Sequence, residues 1–188
     1  MKRIALFASG AGSNVVNITE HFKDNEQVQV ALVLTNNPKA GVIEKCAALD
    51  IPLLYLSKKG FSEAQTLIQL LKGFSLDLIV LAGFLLKIPE QLVQNYPQKI
   101  INIHPALLPN YGGKGMYGMH VHEAVKKAGE TESGISIHYV NEHYDQGALI
   151  FQAKTNLLPA DTPEDIAQKV QALEAIHFPK TIETLLND

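Results

Sequence analysis

The feature that most constrains the fold of this chain is a series of short apolar runs separated by segments with helical spacing. The runs span residues 3–8, 28–34, 53–56, 76–82 and 99–104, and the first is almost continuously apolar. Continuous apolar strands are typical of a parallel sheet that is covered on both faces. Helical segments between such strands supply the crossovers that parallel pairing requires. The sequence therefore predicts alternating strands and helices of the α/β class.

The last third of the chain follows a different pattern. Residues 134–140 alternate between apolar and polar side chains, and a short connection leads to a further strand at 149–154, which favours antiparallel pairing. Thr162 and Pro163 then open a long C-terminal helix, as N-cap and first helical residue. We expect a Rossmann-like, mostly parallel twisted sheet of about seven strands, with helices on both faces and an antiparallel C-terminal addition, as one domain over residues 1–188.

Composition limits the classes of partner. A net charge of -3 provides no broad basic field for nucleic acid, so a bound phosphate has to be held locally. Cys46 is the only cysteine, which leaves no intrachain disulfide and no cysteine cluster for zinc. No apolar run approaches the length of a membrane span. We expect a cytoplasmic protein that acts on small molecules, without nucleic acid or membrane partners.

A glycine turn follows the first strand. Residues 9–14 read Ser-Gly-Ala-Gly-Ser-Asn and lead into a helix, a geometry that offers backbone N–H groups and a positive dipole end to an anion. Val15 stands where a dinucleotide fingerprint has its third glycine, so a phosphate monoester fits this turn better than NAD. The alternative interpretation is a plain tight turn with Ser13 or Asn14 as the N-cap.

Two polar side chains end the strand at 99–104. Asn102 and His104 are two residues apart, so a strand places them on the same face, and Pro105 ends the strand directly after them. Ligands bind at strand exits in open α/β sheets, and we expect the exits of the first, fourth and fifth strands to share one edge. The alternative is a pair of polar groups that are solvated or hydrogen-bonded within the core.

Asp145 lies in a turn between two predicted strands and can reach across to His104. A carboxylate beside an imidazole raises the pKa of the imidazole and fixes its orientation. Asn102 can donate an N–H to the oxyanion of a tetrahedral carbon. No serine or cysteine nucleophile is obviously placed, so these residues indicate direct acyl transfer between two bound substrates.

Two further groups leave alternatives open. His120, His122 and Glu123 could suggest zinc, but His120 and His122 do not share a helix face and would need His138 or His143 as further ligands, so we expect solvated side chains and no metal. The apolar residues that follow the fourth strand, 84–88, form either core under the next helix or the wall of a pocket for a flat ligand.

The motifs above resemble the phosphoribosylglycinamide formyltransferases of purine synthesis, over essentially the whole chain. The resemblance rests on residues 9–14, on Leu-Ala-Gly-Phe at 81–84, on Asn-Ile-His-Pro-Ala-Leu-Leu-Pro at 102–109, and on Asp-Gln-Gly at 145–147. The third segment is characteristic of folate-dependent formyl transfer. The Gly-Ser-Asn turn is similar to that of the glycinamide ribonucleotide branch.

This resemblance implies transfer of the formyl group of 10-formyltetrahydrofolate, a co-substrate, to the amino group of 5-phosphoribosylglycinamide. It assigns the phosphoribosyl substrate to five residues: Gly12, Ser13, Asn14, Gln171 and Glu174. It assigns the folate to Leu85, Leu86, Lys87, Ile88 and Asn102, and catalysis to Asn102, His104 and Asp145. It also implies a monomer or weak homodimer without a metal.

The chain departs from the family pattern at three places. Leu85-Leu86 replaces a frequent Met-Arg pair, and an arginine is absent near Ser62-Glu63, where Lys58, Lys59 or Lys87 could substitute. The glycine-rich loop 112–118 is longer than in better-known members and is either a mobile lid or a variant connection.

Three other functions compete with this interpretation. A methionyl-tRNA formyltransferase or a formyltetrahydrofolate deformylase is expected to carry an additional domain, for which 188 residues leave no space. A non-catalytic phosphate- or nucleotide-binding Rossmann module would give Asp145 no role.

Overall fold

A computed structural model describes residues 1–187 of the chain, and it contains seven strands and seven helices in that range. The strands are Lys2–Phe7 (β1), Val28–Thr35 (β2), Leu53–Tyr55 (β3), Leu78–Leu81 (β4), Ile100–His104 (β5), Glu132–Tyr139 (β6) and Leu149–Asn156 (β7). The helices are Ser13–Phe22 (α1), Val42–Ala48 (α2), Lys58–Ser62 (α3), Ala64–Lys72 (α4), Glu90–Asn95 (α5), Met119–Ala128 (α6) and Pro163–Asn187 (α7).

The strands form one sheet in the order β3-β2-β1-β4-β5-β6-β7. Strand β1 pairs in parallel with β2 and with β4, and β2 pairs in parallel with β3. Strands β6 and β7 are antiparallel. The predicted mostly parallel sheet with an antiparallel C-terminal addition is therefore confirmed.

The chain divides into two compact units, so the prediction of one domain stays a prediction. The first unit contains Met1–Ile101 and the C-terminal residues from Leu185. Strand β1 is its centre, and residues 4–7 have no exposed surface, as expected of a strand flanked on both sides and covered on both faces. The aromatic rings of Phe7, Phe61 and Phe84 pack together beside it, with centroids 4.9 to 6.2 Å apart.

Helix α3 in this unit was not predicted. It is five residues long and contains Gly60, so it carries too few turns to produce an apolar period. Ser57 caps it, since its side chain accepts a hydrogen bond from the Gly60 N–H at 3.2 Å. Its buried residue, Phe61, joins the aromatic cluster, which explains why a weak helix former is held in place.

The second unit contains Asn102–Thr184. Strand β6 begins at Glu132, two residues before the predicted strand, and pairs along its length with β7. The predicted cap of α7 is confirmed: the Asp165 N–H donates to Thr162 Oγ1 at 3.2 Å, and the Thr162 N–H donates to Asp165 Oδ2 at 2.8 Å. This reciprocal pair satisfies two backbone donors at the helix start.

Within residues 1–187, no helix combines the length and the apolar character that crossing a bilayer demands.

Replacing Gly134 in β6 with alanine is expected to destabilise the protein. A Cβ at this position would overlap the Ala153 carbonyl oxygen of β7 and would lie 2.8 Å from Leu107 Cδ2. Because the neighbours are paired backbone, the strand has to shift, and we expect a loss of about 2–3 kcal/mol in the free energy of unfolding, measured by urea titration. Gly10→Ala is the matched control, since nothing lies within 4 Å of its added Cβ. Equal stability of the two variants would show that the β6–β7 register does not depend on Gly134.

Candidate functional site

Strand β5 ends at the first two candidate residues. It stops at His104, directly before Pro105, as predicted. The His104 side chain is almost fully buried, with 3% of its surface exposed, and Asn102 is half-buried. Two polar groups are thus withdrawn from water at the end of one strand, and each needs a partner within the protein.

Asp145 supplies a common partner for these groups. It lies between β6 and β7 in the left-handed backbone region, with φ of 55°, and its side chain is 12% exposed. One carboxylate oxygen accepts the Gly113 N–H at 2.8 Å and lies 3.6 Å from His104 Nδ1. The other lies 3.6 Å from His138 Nε2 and 3.5 Å from Asn102 Nδ2. The prediction that Asp145 reaches His104 is confirmed at ion-pair distance, which is longer than a direct hydrogen bond.

Asn102 is oriented by His138. The ring nitrogen Nδ1 of His138 lies 2.8 Å from the Tyr139 carbonyl, which can only accept, so Nδ1 carries a hydrogen. The Nε2 of a neutral His138 then accepts one Asn102 amide hydrogen, at 3.1 Å. The other amide hydrogen faces Asp145 at 3.5 Å, a weak contact. Asn102 therefore has one weakly held N–H that could donate to a ligand oxygen.

The sequence analysis did not include His138 in this site, because it considered His138 only as a possible further ligand of a zinc ion. The signal that could have found it is the polar face of β6, which carries Ser136 and His138 two residues apart, as β5 carries Asn102 and His104.

The tautomer of His104 follows from the same reasoning. Its Nε2 lies 2.8 Å from the carbonyl oxygen of Tyr111 and must donate a hydrogen to it. In the neutral ring, Nδ1 then presents a lone pair to Asp145, and in the imidazolium it presents a hydrogen. The charged ring therefore has a hydrogen-bond acceptor at both nitrogens, which stabilises the protonated form of His104.

Burial decides the pKa of His104. Loss of solvation lowers the pKa below 6.5, the Asp145 carboxylate and the Tyr111 carbonyl raise it, and the charge of His138 lowers it. The net shift is downward, so the predicted raised pKa is wrong. The predicted effect of Asp145 is present, but withdrawing the imidazole from water outweighs it.

The pKa of Asp145 is also lowered, despite burial, which would raise it. The opposing causes are interaction with His138, the charge of His104 and the Gly113 N–H. Near neutral pH the site therefore holds a carboxylate beside a neutral imidazole. This combination can accept a proton at the imidazole and stabilise the resulting charge.

The prediction of solvated histidines on α6 is wrong for one of the two. His120 is exposed, with its ring 5.2 Å from that of Tyr117. His122 is buried, and burial and the charge of His104 lower its pKa. Across residues 1–187, no group of three or more histidine, cysteine or acidic side chains is arranged to hold a metal ion.

The segment after His104 is anchored to β6 and β7. The Leu108 N–H donates to Ser136 Oγ at 2.9 Å, and that hydroxyl donates to the Ala106 carbonyl at 2.7 Å. Gln152 Nε2 donates to the Leu108 carbonyl at 3.0 Å. The backbone that covers His104 is thus fixed at its start.

The glycine turn opens helix α1 in the first unit. Gly12 is the N-cap residue with φ of 76°, and an added Cβ would lie 2.6 Å from Val42 Cγ2, so glycine is required on two grounds. The alternative with Ser13 or Asn14 as the cap is wrong, and no side chain of the described residues caps this helix start. Its first N–H groups suit an anion.

The exits of β1 and β4 share one edge, as predicted. The Ser9 N–H donates to the Gly83 carbonyl at 3.0 Å, and the Leu85 N–H donates to Ser9 Oγ at 2.9 Å. That the exit of β5 lies at the same edge of the sheet stays a prediction.

The loop after β4 fits both alternatives in part. Phe84 and Ile88 are buried in the core of the first unit, whereas Leu85 is 52% exposed. Leu86 is half-buried, and Lys87 is exposed. Leu85, Leu86 and Lys87 are therefore the side chains of this loop that can meet a ligand.

The remaining candidates lie on helices. Gln171 and Glu174 are three residues apart on α7, so they lie on neighbouring positions of one face, with Gln171 exposed and Glu174 half-buried. Lys58 and Lys59 are exposed at the start of α3.

Comparison with known proteins covers the same residues. A family described as formyl transferase matches residues 2–182. The chain is 42% identical over 176 residues to a chloroplastic phosphoribosylglycinamide formyltransferase of Arabidopsis thaliana, covering 90% of this chain and 60% of that protein. It is 38% identical over 191 residues to a phosphoribosylglycinamide formyltransferase of Bacillus subtilis, covering 99% of this chain and 95% of that one.

A solved structure gives the same result. The crystal structure of phosphoribosylglycinamide formyltransferase from Anaplasma phagocytophilum superposes with a TM-score of 0.90 at 32% identity, over 99% of this chain and 87% of that one. The chain spans about three fifths of the Arabidopsis protein. With a family match along nearly its whole length, and with His104 at the end of β5 facing Asp145, this chain belongs to the formyl transferase family.

Proposed function

We propose that residues 1–188 act as a single domain that transfers the formyl group of 10-formyltetrahydrofolate to the amino group of 5-phosphoribosylglycinamide in purine biosynthesis. The observation that carries the proposal is the approach of Asp145 to both His104 and Asn102, with His104 almost fully buried at the end of β5. The names of the Bacillus and Arabidopsis relatives support the choice of acceptor. We also propose a cytoplasmic enzyme that acts on small molecules as a monomer or weak homodimer.

The proposed reaction moves one formyl group and one proton. The substrate amine attacks the formyl carbon and forms a carbon–nitrogen bond, and the bond from that carbon to N10 of the folate then breaks. Neutral His104 takes the proton that the amine loses and returns it to N10, so the enzyme ends unchanged. Asp145 accepts from the ring nitrogen Nδ1 while His104 is charged.

Asn102 is proposed to stabilise the tetrahedral intermediate. The amide N–H that faces Asp145, with Nδ2 3.5 Å from the carboxylate oxygen, can turn to the oxyanion with little loss of hydrogen-bond energy. The bond to His138, at 3.1 Å, keeps the amide in place meanwhile.

Binding is proposed to follow the resemblance. The N–H groups of Gly12, Ser13 and Asn14 at the start of α1 would hold the phosphate, and Gln171 and Glu174 would contact the same substrate.

The folate would contact the side chains of Leu85, Leu86, Lys87 and Asn102, and the buried Ile88 would contribute only its backbone. Leu85 is the most exposed apolar side chain of that loop, which suits contact with a flat ring. Lys58, Lys59 or Lys87 would supply the positive charge that the absent arginines supply in other members.

Replacing His104 with alanine is expected to abolish most of the activity. General acid–base catalysis contributes about 10²- to 10⁴-fold, and we expect a loss of kcat in that range, measured from the absorbance change when tetrahydrofolate forms. His120→Ala, an exposed histidine on α6, should retain wild-type kcat. Full activity of His104→Ala would contradict the mechanism. Turnover with methionyl-tRNA or water in place of the amine would contradict the proposed acceptor.

The pH dependence of Asp145→Asn tests the electrostatic role. Because the Asp145 carboxylate raises the pKa of His104, its removal should move the acid limb of the kcat/KM profile to lower pH. The plateau should fall at least about tenfold, since the charged ring loses its partner. Asp24→Asn, an exposed carboxylate, should leave both unchanged. A limb that stays in place or moves to higher pH would show that Asp145 does not act on His104 through its charge.

A further inference from the structure

The ring nitrogen of His104 that would face a substrate is covered by backbone. A general base paired with a carboxylate works best with its hydrogen directed to the carboxylate and its lone pair directed to the substrate. In this protein the arrangement is reversed, because Nε2 donates to the Tyr111 carbonyl and Nδ1 presents its lone pair to Asp145 at 3.6 Å. His104 is thus in a tautomer that has to change before Nε2 can accept a proton.

The side chain of Tyr111 makes a second contact, separate from this carbonyl interaction. Tyr111 has a φ of 58°, a left-handed conformation that a bulky residue adopts only when its surroundings hold it. Its hydroxyl donates to Glu130 Oε1 at 2.6 Å, and Glu130 lies in the loop that joins α6 to β6. This bond also raises the pKa of Tyr111 to about 12, so the hydroxyl keeps its hydrogen at any ordinary pH.

Two residues further along, the same segment contacts the carboxylate. The Gly113 N–H donates to Asp145 Oδ2 at 2.8 Å, and a Cβ at Gly112 would lie 3.2 Å from Asp145 Cβ. Residues 111–113 therefore contact both partners of the His104–Asp145 pair, and the bond to Glu130 ties Tyr111 itself to the loop between α6 and β6.

We propose that the hydrogen bond between Tyr111 and Glu130 is a tautomer lock, which keeps the Tyr111 carbonyl on His104 Nε2 until substrate replaces it. On release, one proton leaves Nε2 for water and one is taken up at Nδ1 opposite Asp145, so the ring stays neutral. Nε2 is then free to accept the proton of the attacking amine. Tyr111 and Glu130 are positioning residues in this scheme, and its catalytic consequence rests on the proposed function.

The charged and titratable groups that face His104 determine what a titration will report. Asp145 lies 3.6 Å from Nδ1, and His138 and His122 interact with the ring electrostatically. None of these three side chains bonds to Tyr111 or Glu130, but the Gly113 N–H of the same segment donates to Asp145. A change in the tautomer or pKa of His104 on removing the lock therefore reports the release of segment 111–113, with the Tyr111 carbonyl as its direct contact to the ring.

The test is ¹⁵N nuclear magnetic resonance of histidine-labelled protein without substrate, with the His104 signal assigned from a His104→Gln variant. In the wild type, above the His104 pKa, we expect the shifts of a protonated Nε2 and a bare Nδ1. In Tyr111→Phe we expect the two shifts to move toward the opposite tautomer and the His104 pKa to fall, because the carbonyl raises it. Tyr117→Phe, an exposed tyrosine in the same loop, is the matched control.

Glu130→Ala removes the acceptor while leaving Tyr111 intact, so it keeps the test independent of any folding defect in Tyr111→Phe. It should reproduce the change in His104, and the double variant should add nothing to either single one. The lock would be overturned if the His104 ¹⁵N chemical shifts of both single variants matched those of the wild type. It would also be overturned if Nε2 of the wild type carried no hydrogen.

A kinetic measurement separates the lock from the reaction. If substrate has to replace the carbonyl, weakening the lock should lower KM for the amine about three- to tenfold, the equivalent of one net hydrogen bond, with kcat unchanged. Unchanged KM with altered ¹⁵N shifts would overturn the catalytic consequence of the lock. Absence of formyl transfer by the wild type, with the shifts altered as expected, would overturn the proposed function and leave the tautomer lock standing.

Discussion

The site depends on keeping one carboxylate charged in a place that is largely withdrawn from water. Burial alone would raise the pKa of Asp145, and interaction with His138, the charge of His104 and the Gly113 N–H outweigh it. These partners come from β5, from the end of β6 and from the segment that follows β5. The left-handed backbone at Asp145 and the absence of a side chain at Gly112 let them converge. The turn between β6 and β7 is therefore as important to the site as the strand that carries His104.

The lowered pKa of His104 is consistent with the proton-carrying role proposed for it in formyl transfer. A proton carrier must be neutral when the amine attacks and must become charged only in transit, and a buried imidazole with a pKa below 6.5 is neutral at physiological pH. The Asp145 carboxylate makes the charged form accessible for the time it is needed. Burial and Asp145 thus have separate roles, since burial sets the resting state and the carboxylate stabilises the transient one.

Much of this arrangement could be predicted from residue pattern. The end of β5 at Pro105, the parallel sheet, the cap at Thr162 and the proximity of Asp145 to His104 follow from periodicity, from turn residues and from topology. These features are local or depend only on strand order, so the sequence contains them.

The features that the sequence did not reveal depend on burial and on backbone atoms. The sign of the His104 pKa shift requires knowing how much water is excluded, and the burial of His122 requires knowing which face of α6 packs inward. The contact of the Tyr111 carbonyl could not be predicted from the residue pattern. Every residue has a carbonyl, and only the backbone conformation at Tyr111 brings this one to His104 Nε2. His138 shares the polar face of β6 with Ser136, and its role depends on its contacts with the Tyr139 carbonyl and with Asn102, which the sequence does not specify.

In the proposed mechanism His104 carries a proton and never the formyl group. Before substrate binds, both ring nitrogens face acceptors, Tyr111 O at 2.8 Å and Asp145 Oδ2 at 3.6 Å, an arrangement that favours holding hydrogens over attacking carbon. Mass spectrometry of the intact protein after mixing with 10-formyltetrahydrofolate in the absence of the amine distinguishes these two roles. If His104 carries only a proton, the protein mass stays unchanged and the formylated amine forms once the acceptor is added. A mass increase of one formyl group, located at His104 and lost when the amine is added, would show that His104 carries the formyl group instead.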